Sequence, residues 1–240
     1  MMWGRVQNSW LHVSARSLKK SPQNLKGKSV TEQRWLERQL NDQFVKAAHL
    51  HNYRCRSAFK LLEIDDRYKV LKPGFTVIDC GAAPGAWSQV AVQRVNSAGQ
   101  DPALPKGRVI GIDLLHISPL EGAEFLAMHD ITMASTLTAL EKLLSGAQAH
   151  AFLSDMAPNA TGFRELDHER LVSMCLSMLD MADRLLKPGG SLICKCWDGA
   201  LANKLQQKLS TLFKDVRKVK PKASRKESSE LFFLARMFKT

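Results

Sequence analysis

Four apolar runs in this chain carry a charged residue at or near their end. Val77-Ile78-Asp79-Cys80 leads into the small-residue stretch Gly81-Ala82-Ala83-Pro84-Gly85-Ala86-Trp87. Val109-Ile110-Gly111-Ile112 stops at Asp113, and Ala151-Phe152-Leu153-Ser154 stops at Asp155. Ser191-Leu192-Ile193-Cys194 continues through Lys195 to Cys196, and a further acid, Asp130, follows a shorter run. Acids at the tips of buried strands can accept hydrogen bonds from the hydroxyls of a ligand. A lysine inside an apolar strand costs free energy unless it is paired or has a use. Asp155 and Lys195 fall at the ends of neighbouring strands, so both can face one cleft. On this ground alone they fit a structural ion pair as well as a reactive centre.

The stretch after Asp79 narrows the ligand. Gly81, Ala82, Ala83 and Gly85 put almost no side chain between backbone and ligand. The residues that follow read as helix, so the site lies at the carboxyl end of a strand, where open α/β sheets bind nucleotides. The loop is not G-x-G-x-x-G, the motif on which a dinucleotide's diphosphate sits. Asp113 is placed to accept from ribose hydroxyls, and Asp130 to read an adenine edge. For Asp113 the plainer alternative is a loop acid capping a helix. A nucleoside without a diphosphate, such as S-adenosylmethionine, fits this set better than a nicotinamide dinucleotide.

The positioning elements follow from hydrophobic period and breakers. A helical pattern runs from Thr31 to about Tyr68, with Trp35, Leu36, Leu40, Phe44 and Ala47 at three- and four-residue spacing and a second stretch, Ser57 to Ile64, after the basic Arg54-Cys55-Arg56; Lys72-Pro73-Gly74 ends it. Strands are expected at about 75–80, 108–113, 124–129, 150–155, 191–196, 215–220 and 231–235. Helices are expected between them at about 87–96, 134–145, 167–186 and 199–213, with a loop at 97–106. This alternation argues an α/β fold, a mostly parallel seven-stranded sheet with helices on both faces.

With 240 residues the chain can hold one sizeable domain and an extension. The net charge is +12, and residues 1–31 hold six basic residues and no acid, with serines at 9, 14, 17, 21 and 29. Such a mildly amphipathic, acid-free composition is that of a mitochondrial presequence; a basic arm that binds RNA directly is the other reading. A secretory signal is disfavoured, since no continuous apolar core is present. Residues 32–240 would form the folded domain, still basic near its end through Lys214, Arg217, Lys218, Lys220, Lys222, Arg225 and Lys226. That favours a polyanionic partner no more than it favours a solvated basic face. No apolar run approaches the roughly 20 residues that span a bilayer. Five scattered cysteines read as reduced thiols of an intracellular or organellar protein. Cys194-x-Cys196 lacks a second ligand pair, so no metal is expected.

Taken together, Asp79-Cys80-Gly81-Ala82-Ala83-Pro84-Gly85-Ala86-Trp87-Ser88-Gln89, Ser154-Asp155-Met156-Ala157-Pro158-Asn159, Lys187-Pro188-Gly189-Gly190-Ser191, Lys195 and Ser224-Arg225-Lys226-Glu227-Ser228-Ser229-Glu230 resemble the FtsJ/RrmJ family of RNA ribose 2′-O-methyltransferases. The resemblance covers roughly residues 32–240. It implies a Rossmann-like S-adenosylmethionine-dependent fold and a Lys-Asp-Lys-Glu catalytic tetrad, matched here by Lys60, Asp155, Lys195 and Glu230. It places cofactor contacts at Pro84, Gly85, Ala86, Trp87, Asp113, Asp130 and Asp155. Ala86 departs from the glycine common in bacterial relatives, with little effect expected from one methyl group. With the presequence, the resemblance implies a mitochondrial matrix enzyme, acting as a monomer on a uridine of large-subunit rRNA or of the assembling mitochondrial large ribosomal subunit. Alternatives are a tRNA methyltransferase of the same family, an assembly factor acting by binding, and, least favoured, a nicotinamide oxidoreductase. Lys195 is the expected base. An ordinary lysine holds its proton near neutral pH, so it should act only when cofactor and RNA close the site. Arg54, Arg56, Lys60 and the basic C-terminal stretch are the expected RNA contacts, with Trp197 more a packing residue than a stacking one.

Overall fold

The computed structural model describes residue 22 and residues 25–239. These fall in two units, one ending at Lys46 and one beginning at Ala47. Of the expected presequence, residues 1–21, 23 and 24 lie outside the described residues, and its last three, Ser29 to Thr31, form the start of a helix. The first unit holds helix α1 (Val30–Asn41), which Ser29 starts as a reciprocal cap: its hydroxyl accepts from the Glu32 N–H while the Glu32 carboxylate accepts from the Ser29 N–H at 2.7 Å. The helical region expected over 31–68 is three helices, α1, α2 (Gln43–Leu50) and α3 (Ala58–Tyr68); α3 is the expected second stretch, and the break between α1 and α2 was not expected. Asp42 separates the first two, and the turn residues after Leu50, with Asn52 at φ 56°, separate the second from the third.

From Ala47 on, strands and helices alternate: β1 (Thr76–Cys80), α4 (Ala86–Val95), β2 (Arg108–Asp113), β3 (Ala123–Ala127), α5 (Ala134–Leu144), β4 (Ala149–Ser154), α6 (Arg164–Leu185), β5 (Leu186–Trp197), α7 (Ala200–Leu212), β6 (Phe213–Val219) and β7 (Glu230–Phe238). They form one seven-stranded sheet in the order β3-β2-β1-β4-β5-β7-β6. β7 alone runs against the others, slotted between β5 and β6.

The pleat divides the core. Ile78, Ile110, Phe152, Leu192, Cys194 and Phe233 face α5, α6 and α7. Val77, Val109, Leu153, Ile193, Phe232 and Leu234 face α3 and α4. Period-2 alternation with both faces buried is what a sheet covered on both sides requires. β5 starts earlier than its apolar run. Leu186 pairs with Ala149 and Ser191 with Ala151, so Lys187-Pro188-Gly189-Gly190 bulges out between two paired registers. The loop over 97–106 is held by Asn96, whose amide donates to the Asp101 and Leu104 carbonyls and accepts from the Asp101 N–H.

Candidate active site

Lys195 lies on the β5 pleat that also carries Ile193, facing the α3–α4 layer. β4 is its parallel neighbour, with Ser154 opposite Cys194, so the chain leaving β4 puts Asp155 beside it. Lys195 Nζ donates to the Asp155 carbonyl at 2.7 Å and lies 3.1 Å from Asp155 Oδ1. On the other side of β5, antiparallel β7 sets Glu230 against Trp197 and Phe232 against Lys195. Lys60 comes down from α3. Its Nζ donates to both Asp155 oxygens, at 3.2 and 3.3 Å, and to Glu230 Oε2 at 2.8 Å. The ring of Phe232 lies beneath it, 5.5 Å from Nζ. The four expected tetrad residues, from four separate elements, thus form an alternating series Glu230–Lys60–Asp155–Lys195. Their side chains are only 9–15% exposed. Each buried charge is matched by an opposite one, without which burial would be prohibitive. Burial works against ionisation of Glu230. The charge of Lys60, hydrogen bonds from Lys60 and Ser224, and the charge of Lys195 outweigh it and hold the carboxyl below its ordinary range.

The glycine loop lies at the same edge of the sheet, after β1. Its glycines have a further reason within the chain itself. A Cβ on Gly81, at φ 74°, would overlap Met156, and one on Gly85, at φ 108°, would overlap the Arg54 guanidinium. Both positions also have a positive φ that disfavours any side chain, and at Gly81 the overlap reaches toward the Met156 backbone. Asp113 serves the loop as a backbone acceptor. Its Oδ2 takes the Ala83 N–H at 2.9 Å and its Oδ1 the Leu115 N–H at 2.8 Å. Each oxygen keeps a second lone pair, so capping and hydroxyl recognition are compatible. Asp130 is brought beside Asp113 by the His129 N–H donating to the Asp113 carbonyl; its Oδ1 accepts from Thr132. The Ala83–Pro84 bond is cis. Ala86 and Trp87 are buried in the first turn of α4. The Trp87 indole points into the core, donating to the Ser57 carbonyl and stacking on Phe232 at 5.6 Å. Only its main chain can meet a ligand.

Asp79 and Ser224 carried no role in the sequence reading, and Arg54 and Arg56 a different one. Asp79 is 1% exposed; Ser88 donates to its Oδ2 at 2.6 Å, and its Oδ1 has no partner. Burial pushes its carboxyl up to about 7. The Ser88 hydrogen bond opposes this, and the charges of Asp155 and Asp113 add to it. Arg54 was expected on RNA, yet its guanidinium donates to the carbonyls of Pro84, Ser118 and Pro119. It fastens the glycine loop to the segment after β2. Arg56 likewise donates to the Ala223 carbonyl, and the adjoining Ser224 bonds Glu230. Asp79 was visible as the acid before the loop, and Ser224 lies within the Ser224–Glu230 motif, six residues before its partner; the bonds of Arg54 join distant segments and have no local signature. Trp197 packs against the apolar core, tilted toward His168. All five cysteines are free thiols. Burial and neighbouring Cys175 raise the Cys196 thiol to about 12, so it stays protonated. Among the described residues no cluster of His, Cys, Asp or Glu could hold a metal ion, and no helix is long and apolar enough to cross a membrane.

Six strands run one way and a seventh runs against them, and acid-tipped strands flank the small-residue loop after β1. That fold and site define the class of Rossmann-like methyltransferases. A lysine-rich ion series beside the loop narrows the class further. The chain belongs to the FtsJ-like methyltransferase family, which matches residues 53–238. It is 45% identical to the mitochondrial rRNA methyltransferase 2 of Drosophila melanogaster, over 95% of this chain and 91% of that one. It is also 45% identical to the ribosomal RNA large subunit methyltransferase E of Parvibaculum lavamentivorans, over 94% and 89% of the two chains. A crystal structure from Plasmodium falciparum, described as a ribosomal RNA methyltransferase, superposes with a TM-score of 0.68 at 28% identity. The match covers 78% of this chain and 98% of that one.

Proposed function

We propose that this protein transfers a methyl group from S-adenosylmethionine to a ribose 2′-hydroxyl, that of a uridine, in mitochondrial large-subunit rRNA. The observation that carries the reading is the Glu230–Lys60–Asp155–Lys195 series, placed at the same sheet edge as the glycine loop. The relatives' names, one mitochondrial and both ribosomal, support the substrate and the compartment. Residues 1–31 would be the presequence that takes the chain to the matrix.

The residues of the site fit the cofactor. Asp79, Asp113 and Asp155 are close enough for the charges of the last two to raise the first, and such a concentration of acids suits a cationic ligand. The unpartnered Asp79 Oδ1 is a buried polar atom in want of a partner. Asp113 would hold the ribose hydroxyls and Asp130 the adenine edge, with main-chain groups of Pro84, Gly85, Ala86 and Trp87 lining the loop. S-Adenosylmethionine supplies, when bound, a methyl group on a cationic sulfur.

Lys195 would take the proton of the attacking 2′-hydroxyl at Nζ, since a ribose hydroxyl is a weak nucleophile until a base removes its proton. The Asp155 carbonyl and carboxylate fix where that nitrogen points. Lys60, tied to both acids, keeps Asp155 and Glu230 in place and adds positive charge beside Lys195. The RNA backbone would lie along exposed Lys214, Lys222 and Lys226, giving affinity that falls with salt. The test is transfer of labelled methyl to large-subunit rRNA, naked and in immature subunits, with Lys195→Ala and Lys195→Arg alongside. Label on the 2′-oxygen that both variants lose supports the reading. Near-normal transfer by Lys195→Arg removes the base assignment, and label in tRNA instead moves the substrate.

A further inference from the structure

Glu230 stands at the start of β7, just after a loop that folds back on itself. Residues 220–229 leave β6, turn, and return, with the Lys220 ammonium closing the loop on the Ser228 carbonyl at 2.8 Å. The loop has two faces. Pro221, Ala223 and Ser224 are buried on the inner one, while Lys222 and Lys226 are exposed on the outer one. Two contacts from the α3 region pin it down: Arg56 donates to the Ala223 carbonyl, and the Glu63 carboxylate accepts the Lys222 N–H at 2.7 Å. So held, Ser224 is 5% exposed and its hydroxyl donates to Glu230 Oε1 at 2.6 Å.

The other Glu230 oxygen, Oε2, takes Lys60, and the Glu230 N–H donates to Ser228 Oγ at 3.1 Å. The carboxyl group is therefore fixed from two sides, by a cation on Oε2 and a neutral hydroxyl on Oε1. A single ion contact leaves a carboxylate free to turn about its last torsion, where the energy wells are broad. A second bond to the opposite oxygen removes that freedom. We propose that Ser224 is a positioning residue for the methyl-transfer site, holding the Glu230 carboxylate in the plane in which it meets Lys60. The proposal rests on the reading of the four charged residues as the catalytic set. It also gives the basic loop a second use: the segment that offers Lys222 and Lys226 to an RNA backbone outside carries the hydroxyl that sets Glu230 inside.

The groups facing Glu230 are Lys60 from α3, Asp155 after β4, Lys195 on β5, and Ser224 and Ser228 of the loop. Of the two hydroxyls, only that of Ser224 bonds the carboxylate itself, and it favours the ionised form. Ser224→Ala should lower kcat by about ten- to a hundredfold, the worth of a hydrogen bond to a charged group. KM for the cofactor should stay within about twofold, and the acid limb of the pH–rate profile should move to higher pH. Ser224→Thr, which keeps the hydroxyl, should restore kcat and the limb. The carboxyl carbon of Glu230, followed by NMR in the free full-length protein, should titrate at higher pH in Ser224→Ala. That readout does not need activity. A wild type that transfers no methyl would mean that the functional reading has failed, with the Glu230 titration still deciding the contact. An active wild type with Ser224→Ala unchanged in kcat and acid limb would overturn the proposal, as would an unmoved Glu230 titration.

Discussion

Asp79 should make this protein lose stability as pH rises through the neutral range, and one substitution should abolish that loss. The carboxyl is buried, accepts one hydrogen bond from Ser88, and has an oxygen with no partner. Burial raises it from an ordinary value of 3.8 to about 7. Between those values the folded protein keeps a proton that the unfolded chain has released, so stability falls with rising pH and levels off above about 7. A shift of about 3 units corresponds to about 4 kcal/mol over the whole window. Asp79→Asn keeps the shape and an acceptor for Ser88 while removing the charge. Denaturant unfolding at about pH 5 and about pH 8 samples the upper two units of the window. The variant should gain about 3 kcal/mol on the wild type between the two. A stability difference that is the same at both values would refute the argument, because a neutral buried Asp79 is its only premise.

Arg54→Leu removes donors to three carbonyls, one in the glycine loop and two in the segment after β2. Calorimetry should show cofactor affinity lower by roughly tenfold or more with RNA affinity little changed; the reverse pattern would return Arg54 to the RNA interface. Gly81→Ala combines a positive φ with an overlap on Met156 and should cost about 1–3 kcal/mol in denaturant unfolding. Gly189→Ala, at φ 79° with open space around it, should cost about 1 kcal/mol by the same measure. Near pH 7, binding of the cationic cofactor should expel a proton as Asp79 ionises, seen as a dependence of binding heat on the buffer's own ionisation enthalpy.

The strands were legible because both faces of a covered sheet are apolar, and Val109–Asp113 or Ala151–Asp155 can hardly be anything else. Asp155 and Lys195 could be placed together from the chain alone, since consecutive strands are neighbours more often than not. Lys60 and Glu230 could not. One comes from a helix 95 residues before Asp155 and the other starts a strand that pairs backwards, and only the resemblance drew them in. The break between α1 and α2 was hidden because Trp35 to Ala47 keeps a helical period across Asp42. The glycines show a different limit. Their positions were evident, but the residues that forbid a side chain there, Met156 and Arg54, lie 75 residues after Gly81 and 31 before Gly85. Spacing in sequence says nothing of such pairs.

The antiparallel strand has a consequence for the order in which the molecule can be completed. β7 is synthesised after β6 yet lies between β5 and β6. Chains emerge from the ribosome N-terminal end first, so a nascent chain that has reached Val219 holds five strands in order and a sixth with nothing to pair. The outer edge of β5, with Lys195 on it, then stands open, the condition that invites edge-to-edge association. Glu230 is the first residue of the strand that closes this gap. Lys60, Asp155 and Lys195 can gather earlier, but the last charge of the set arrives only with the strand that seals the sheet. A half-made molecule thus has both an open edge and an incomplete charge series, and one folding event ends both conditions.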